Sequence, residues 1–345
     1  MEFRDDEVAA LKQAIDTNNI DLVKTLMTAN PALHQAPLGY GEDGPLTWVA
    51  ECRVPWEPPS PARLAMAQWM VDNGSDVHQG GDGPLGRAAL NGHRIPMMEL
   101  LVRNGADVNA EWKGDFPILW FPCESVDPDV IEWLLDRGAN PNTSTPSRCD
   151  TALDYLLGTY GRSEELPRCI ELLLKAGGTT RYDVPGVLDI LRNKTDNLAT
   201  KIDKDPELIH QRFPELDFGS TGARGLLLTG ATLLHVAAEF ANIEAATLLL
   251  DRGADVNVRA EGGQTPIFHS VSQFDDFGLE MTEFLLDRGA DLTIRAKIQG
   301  HYDRPDEMVD CNPVEYAELF PGDELPNEET LRLLHSRIAG SPAGN

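Results

Sequence analysis

The feature that most constrains this chain is a short motif that returns at a nearly fixed interval. Its clearest copy runs from Thr232 to Asn257, T-L-L-H-V-A-A-E-F-A-N-I-E-A-A-T-L-L-L-D-R-G-A-D-V-N. Two apolar runs lie inside it, each at helical spacing: Leu234, Ala237 and Ala238, then Ile243, Ala246, Leu249 and Leu250. Asn242 stands between them, where the chain must turn. Gly253 follows the second run, where a helix end needs a residue tolerant of positive φ. The stretch therefore predicts helix, tight turn, helix, glycine stop and an extended exit. A unit this small cannot bury its apolar face alone and needs neighbours of its own kind.

Those neighbours are present. The ending recurs as V-R-N-G-A-D-V-N (Val102 to Asn109), L-D-R-G-A-N-P-N (Leu135 to Asn142) and L-D-R-G-A-D-L-T (Leu286 to Thr293). Worn copies are M-V-D-N-G-S-D-V (Met70 to Val77) and L-K-A-G-G-T-T (Leu174 to Thr180). The opening recurs at Gly44-Pro45-Leu46, Gly83-Pro84-Leu85, Phe116-Pro117-Ile118, Thr151-Ala152-Leu153, Thr265-Pro266-Ile267 and Asn312-Pro313-Val314. The anchoring glycines, Gly74, Gly105, Gly138, Gly177, Gly253 and Gly289, are 31, 33, 39, 76 and 36 residues apart. The gap of 76 is about two periods, so it predicts a degenerate unit inside it.

Period and motif together resemble the ankyrin repeat, about 33 residues long with T-P-L-H-x-A near its start. The matching residues here are Thr232, Leu233, Leu234, His235 and Ala237, with Leu233 in place of the usual proline and Ala241 in place of the usual inter-helix glycine. The resemblance covers about residues 5–338. It implies an all-α solenoid of about nine helix-turn-helix units, read as one domain over 1–339. The units are 5–34, 44–78, 83–109, 115–142, 150–180, 184–213, 232–257, 265–293 and 312–338. Residues 214–230 and 294–311 read as long loop insertions, and 340–345 as a frayed tail.

The first unit has Leu11, Ala14 and Ile15 on one helix face and Leu22, Val23 and Leu26 on the next, with Asn18-Asn19 at the turn. Its polar outer residues suit an end cap. Proline-rich 54–61 and Gly158 to Pro167 enlarge two inter-helix turns, and Pro122 is expected to end its helix early. In the degenerate unit, Val187, Leu188 and Leu191 form one face, and Leu198 and Ile202 the other. Its Asp205-Pro206 echoes Asn30-Pro31 position for position, which marks it as a repeat rather than a linker. In the last unit, Pro313, Val314, Tyr316 and Ala317 pair with Leu331, Leu333, Leu334 and Ile338.

Composition narrows the function classes. The formal net charge of −27 disfavours nucleic-acid or anionic-membrane partners, because phosphate neutralisation needs clustered Lys and Arg. It permits steering of a basic partner. No uncharged apolar run approaches the ~20 residues of a membrane span. The acidic start M-E-F-R-D-D-E has no apolar core of a secretory signal. Five scattered cysteines without C-x-x-C argue for free thiols in a reducing compartment, hence a cytoplasmic protein.

Candidate chemistry is thin. G-S-T-G-A-R-G (Gly219 to Gly225) has the glycine spacing of some phosphate loops but no surrounding βαβ pattern, and reads as a flexible connection. The histidines fall in different units and form no zinc-ligand spacing. No nucleophile can be placed beside His235. The resemblance gives His235 a structural role, bridging backbone groups of neighbouring loops. Acidic residues crowd 303–329 without the ladder of a calcium loop. The expectation is no catalytic residue, no cofactor and no metal.

In ankyrin proteins, the turns joining successive units (the fingers) and the first helices line a surface that grips partner proteins. Carried onto this chain, the finger residues are Tyr40, Trp112, Lys113, Arg148, Arg259, Glu261, Arg295 and Lys297. Exposed Trp, Tyr and Arg are the usual interface hot spots. Trp112 either meets the partner or folds back on its neighbouring finger. Trp48, Trp69 and Trp133 read as core, and Trp56 as a second contact. The implied function is a cytoplasmic, monomeric scaffold or adaptor that binds another protein without catalysis. The alternative is an acidic, immunity-type inhibitor masking a basic enzyme or toxin.

Overall fold

The computed structural model describes residues 3–340 apart from 40, 53–57, 91, 146–149, 160, 220–223, 305 and 321–326. Short helices dominate, and they come in pairs. The chain divides into two compact units, one of residues 1–156 with 172–179, the other of residues 157–171 with 180–345.

In the first unit, α1 (Asp5–Asp16) packs on α2 (Ile20–Ala29), α3 (Pro45–Glu51) on α4 (Pro61–Asp72), α5 (Gln79–Ala88) on α6 (Ile95–Arg103), and α7 (Trp120–Glu124) on α8 (Pro128–Leu135). First helices also stack on first helices, α1 on α3 and α3 on α5, and second helices on second, α2 on α4 and α4 on α6. Each pair thus hides one face against the pair before it and another against the pair after, as a repeat array requires. Helices α9 (Ala152–Gly158) and α10 (Leu166–Lys175) supply residues to both units. The second unit repeats the scheme with α11 (Val187–Leu191) and α12 (Thr195–Lys204), α13 (Leu233–Glu239) and α14 (Ile243–Asp251), α15 (Pro266–Ser270) and α16 (Leu279–Asp287), then α17 (Pro313–Ala317) and α18 (Glu328–Gly340).

Local chemistry sets these boundaries. Pro45, Pro266 and Pro313 occupy the first helical position, where a missing N–H removes no bond. Asn19, Ser60, Asp127 and Asn242 cap second helices by accepting from Leu22, Arg63, Val130 and Ala245 N–H. The inter-helix turn puts one residue in the left-handed region. Asn18 and Asn193 tolerate that well, whereas Ala241 and Val126 take it at φ 51° and 53° with a Cβ in the way.

The echo between Asn30 and Asp205 is geometric as well as sequential. Both backbones sit near φ −135° and ψ 90°, and both side chains accept the N–H two residues on, starting 3-10 turns at Pro31–Gln35 and Pro206–His210. Val187, Leu188, Leu191, Leu198 and Ile202 are all buried, as the degenerate unit predicts.

Four expectations change. Leu22 is 41% exposed and Met27 takes its place under α2, because Val23 and Met27 are the i, i+4 pair facing the neighbours. Ile338 is 51% exposed near the end of α18. Pro122 does not end its helix; it lies in the first turn of α7, where no intrahelical donor is lost. The insertion at 294–311 is not a plain loop, whereas that at 214–230 is a loop that packs inward. Segment 214–230 buries Leu216, Phe218, Leu226 and Leu228. A two-residue ladder joins β1 (Glu111–Trp112) to β2 (Phe116–Pro117) in the first unit, and segment 294–311 contains a hairpin of β3 (Ala296–Gln299) and β4 (Met308–Cys311), the register pairing Ala296 with Cys311. Leu226, Phe268, Ala296, Ile298, Cys311, Tyr316 and Phe320 form one apolar cluster in the second unit.

Candidate protein-binding surface

The fingers are rigid because one residue type recurs at their base. Asn109 donates to the Gly138 carbonyl at 3.0 Å and accepts the Asn140 N–H at 2.8 Å. Asn142 repeats this with Gly177 and Thr179, and Asn257 repeats it with Gly289 and Asp291. Each asparagine is in turn held by an Asp or Asn two residues earlier, Asp107, Asn140 and Asp255. The G-A-D/N-x-N ending is therefore a bidentate clamp from one finger to the next.

In the first unit the clamped finger forms a two-residue ladder between Glu111–Trp112 and Phe116–Pro117. Trp112 is half-buried and folds back. Its ring meets Phe116 and Phe121 edge-on at 6.3 and 5.9 Å, and its Nε1–H donates to Asp43 at 2.5 Å. Lys113 is exposed and donates to the Gly41 carbonyl at 2.8 Å. The Asp43 carboxyl is nearly fully buried. Burial pushes its pKa up, while the Trp112 bond and the charges of Lys113 and Arg87 pull the other way. The preceding finger must pass close by: Gly81 is left-handed, and any Cβ there would collide with the Glu111 carbonyl oxygen.

In the second unit four candidates share one end. Arg259 and Glu261 are exposed on a tight turn closed by the Gln264 carbonyl and the Ala260 N–H. Arg259 donates to the Arg295 carbonyl at 3.1 Å. Arg295 is fixed by Asp310 at 2.9 Å and Glu315 at 2.8 Å. Lys297 is exposed on β3, its amide bonded to the Gly262 carbonyl. Glu261 and Lys297 are exposed, Arg259 is exposed with one bond to a neighbouring carbonyl, and Arg295 is held by two carboxylates. Tyr40, Arg148 and Trp56 lie outside the described residues. Of the tryptophans read as core, Trp48 and Trp133 are buried and Trp69 is half-buried.

At the ends of the first helices lies polar chemistry that motif reading missed. The last residue of a first helix is a glutamate in both α3 and α13, and each faces the fifth residue of the next opening motif. Glu51 pairs with Arg87 at 2.6 Å, and Glu239 with His269 at 2.8 Å. Displaced by one residue, Glu124 meets Tyr155 at 3.3 Å in the same way. The signal was there: G-P-L-T-W-V-A-E and T-L-L-H-V-A-A-E align without a gap.

Glu239 is the most heavily bonded of these. One oxygen accepts Arg162 and Arg224, each at 2.6 Å, and Gln273 at 3.1 Å. All four side chains are essentially fully buried. Burial raises the Glu239 pKa, but the charges of Arg224 and Arg162 and the His269 bond outweigh it and hold the carboxyl at about 2. Arg224 belongs to the G-S-T-G-A-R-G stretch, whose residues 220–223 lie outside the described set. The arginine at its end is thus a tie into the helix pair. Arg162, from the enlarged turn before α10, stacks on Phe240 at 4.6 Å and reaches the same carboxylate.

His235 accepts the Thr232 N–H at Nδ1, at 3.2 Å, and its Nε2–H donates to the Gln264 carbonyl at 3.2 Å. Burial, then the neighbouring His269, lowers its pKa to about 3, so the ring is neutral. It bridges its own loop and the next finger, in the structural role that the resemblance implies. Burial also lowers His269, outweighing Glu239.

A family model described as ankyrin repeats, in three copies, matches residues 198–296, and a second, ankyrin repeat, matches residues 80–113. Among curated proteins the chain is similar to FPV022 of fowlpox virus (strain NVSL), named for its ankyrin repeats, at 26% identity over 286 residues. That match covers 77% of this chain and 45% of the viral protein, so the chain spans about half the length of that relative. Among solved structures it is similar to the human ASB11 ankyrin repeat domain, at 20% identity over 72% of this chain and 99% of that one, with a TM-score of 0.41. No helix among the described residues is long and apolar enough to cross a membrane. Family models over two separate stretches, recurring motifs and paired short helices agree: residues 80–113 and 198–296 are ankyrin repeats.

Proposed function

We propose that the chain is a non-enzymatic scaffold or adaptor, a single array of helix pairs that captures a partner protein on its fingers and first helices. The repeated asparagine clamp carries this reading. Fingers ordered in advance lose little conformational entropy on docking, which is what a rigid recognition surface needs. Arg259, Glu261, Lys297 and Lys113 then supply the charged contacts, with Tyr40 and Arg148 as further finger residues. Arg295 and Trp112 hold the fingers in shape. Burial of His235, His269 and Glu239, each held in hydrogen bonds, supports the reading without catalysis. The described free cysteines, Cys52, Cys123, Cys169 and Cys311, are all buried, which fits a reducing, cytoplasmic setting.

The test is affinity capture of a partner, then titration against Arg259→Glu with Lys297→Glu. A loss of roughly tenfold or more in affinity is expected for reversed finger charges. Unchanged affinity refutes the surface. The net charge of −27 favours a second reading, masking of a basic enzyme or toxin. It requires that affinity collapse as salt rises through the screening range.

A further inference from the structure

A second surface lies at the other end of the helices. The fingers join second helices to the next pair, whereas the turns inside each pair gather at the opposite edge. In the second unit those turns enclose a cleft of about 800 Å³, within the range of sites that take small ligands or peptide side chains. Its floor is apolar, built from Leu166, Pro167, Leu191, Phe240, Ile243 and Leu279. Phe240, Ile243 and Leu279 keep part of their surface in solvent. Phe274, on the turn that carries Asp276, is 48% exposed.

The rim carries Glu164, Glu244, Asp276 and Glu280. Glu244 and Glu280 stand in the first turns of α14 and α16, and Asp276 accepts the Glu329 and Thr330 N–H groups at the start of α18. Anionic residues belong at helix N-termini. Because these helix starts converge on one opening, their carboxylates ring it. The lining's one cation, Arg162, is turned inward onto Glu239, so it offsets little of the rim charge.

We propose that this cleft docks a basic amphipathic segment of another protein, one whose apolar side chains enter the floor while Lys or Arg meet the rim. Apolar anchors with matched rim charge are the usual chemistry of peptide capture in a groove. The surface is distinct from the fingers, so the two readings stand or fall separately.

The probe is a fluorescein-labelled synthetic peptide of about a dozen residues, Leu and Phe on one helical face and Lys and Arg on the other, titrated into the full chain by fluorescence polarisation. Glu244→Lys with Glu280→Lys is expected to weaken binding by roughly tenfold or more. Glu99→Lys with Asp136→Lys, two exposed positions that do not line the cleft, makes the same change in net charge and is expected to leave affinity within about twofold. Replacing the peptide's Leu and Phe by Ser is expected to abolish binding. Circular dichroism of each variant shows that the fold is retained. The proposal is overturned if both charge pairs weaken binding equally, if the Ser peptide binds as well, or if the original peptide does not bind. Arg259→Glu with Lys297→Glu, which tests the fingers, should leave this peptide's affinity unchanged.

Discussion

Glu239→Gln tests the buried polar network most directly. The amide keeps the shape of the side chain and mimics the protonated carboxyl, so the loss is mainly one of charge. Arg162 and Arg224 then remain buried with only carbonyl and amide partners. Removing one member of a buried ion pair costs about 3–5 kcal/mol. An independent route gives a similar figure. A carboxyl held at about 2 instead of 4.5 contributes about 3 kcal/mol at neutral pH, at about 1.4 kcal/mol per tenfold change. All six tryptophans lie between residues 48 and 133, so tryptophan fluorescence reports on the first unit. The suitable readouts are urea denaturation followed by circular dichroism and hydrogen exchange of the amides in α13 and α15. Exchange there should accelerate by roughly two to three orders of magnitude. The pH dependence has a definite sign. A carboxyl with a depressed folded pKa contributes fully above its unfolded value, and the contribution fades as pH falls from about 4.5 toward 2. Wild type and variant should therefore differ at pH 7 and converge near pH 2. A loss under about 1 kcal/mol, typical of exposed pairs, or a difference independent of pH, would refute a desolvated pair.

Other substitutions read other parts of the design. Ala241→Gly relieves a left-handed alanine, φ 51°, at the inter-helix turn and should stabilise by about 0.5–1 kcal/mol in urea denaturation; destabilisation would mean the turn gains more from its Cβ contacts than it loses in strain. His235→Ala strands the Thr232 N–H and the Gln264 carbonyl and should cost about 2–4 kcal/mol. Because this ring stays neutral down to about pH 3, wild-type stability should fall as pH drops below 6.5, and the variant should lose the His235 share of that slope while His269 keeps its own. Asn257→Ala removes both bonds to the next finger and should cost about 1–2 kcal/mol, with faster exchange at Asp291 as the check.

Periodicity alone carried much of the architecture. Helical spacing, proline at first positions, Asn and Asp caps and the glycine stops are local signals, each acting within a turn or two of its own residue. That is why five apolar residues could mark the helix pair of α11 and α12 even where the motif is worn. The surface positions of Leu22 and Ile338 were out of reach because the repeat pattern does not say which residue of an apolar pair faces the neighbour.

The use of the polar residues was settled by pairings across long stretches of chain. Trp112 meets Asp43 across 69 residues, and Arg162 meets Glu239 across 77. A tryptophan in a finger is equally compatible with solvent and with a neighbouring carboxylate; burial of Asp43 decided for the latter. An arginine at the end of a glycine-rich stretch looks mobile until a buried glutamate lies within reach. The amino-acid order laid down the repeats and their caps, because backbone preference and apolar spacing are local. Only the folded packing chose which charges are buried as pairs and which stay in water, because desolvation and Coulomb energy depend on every element that closes around a group.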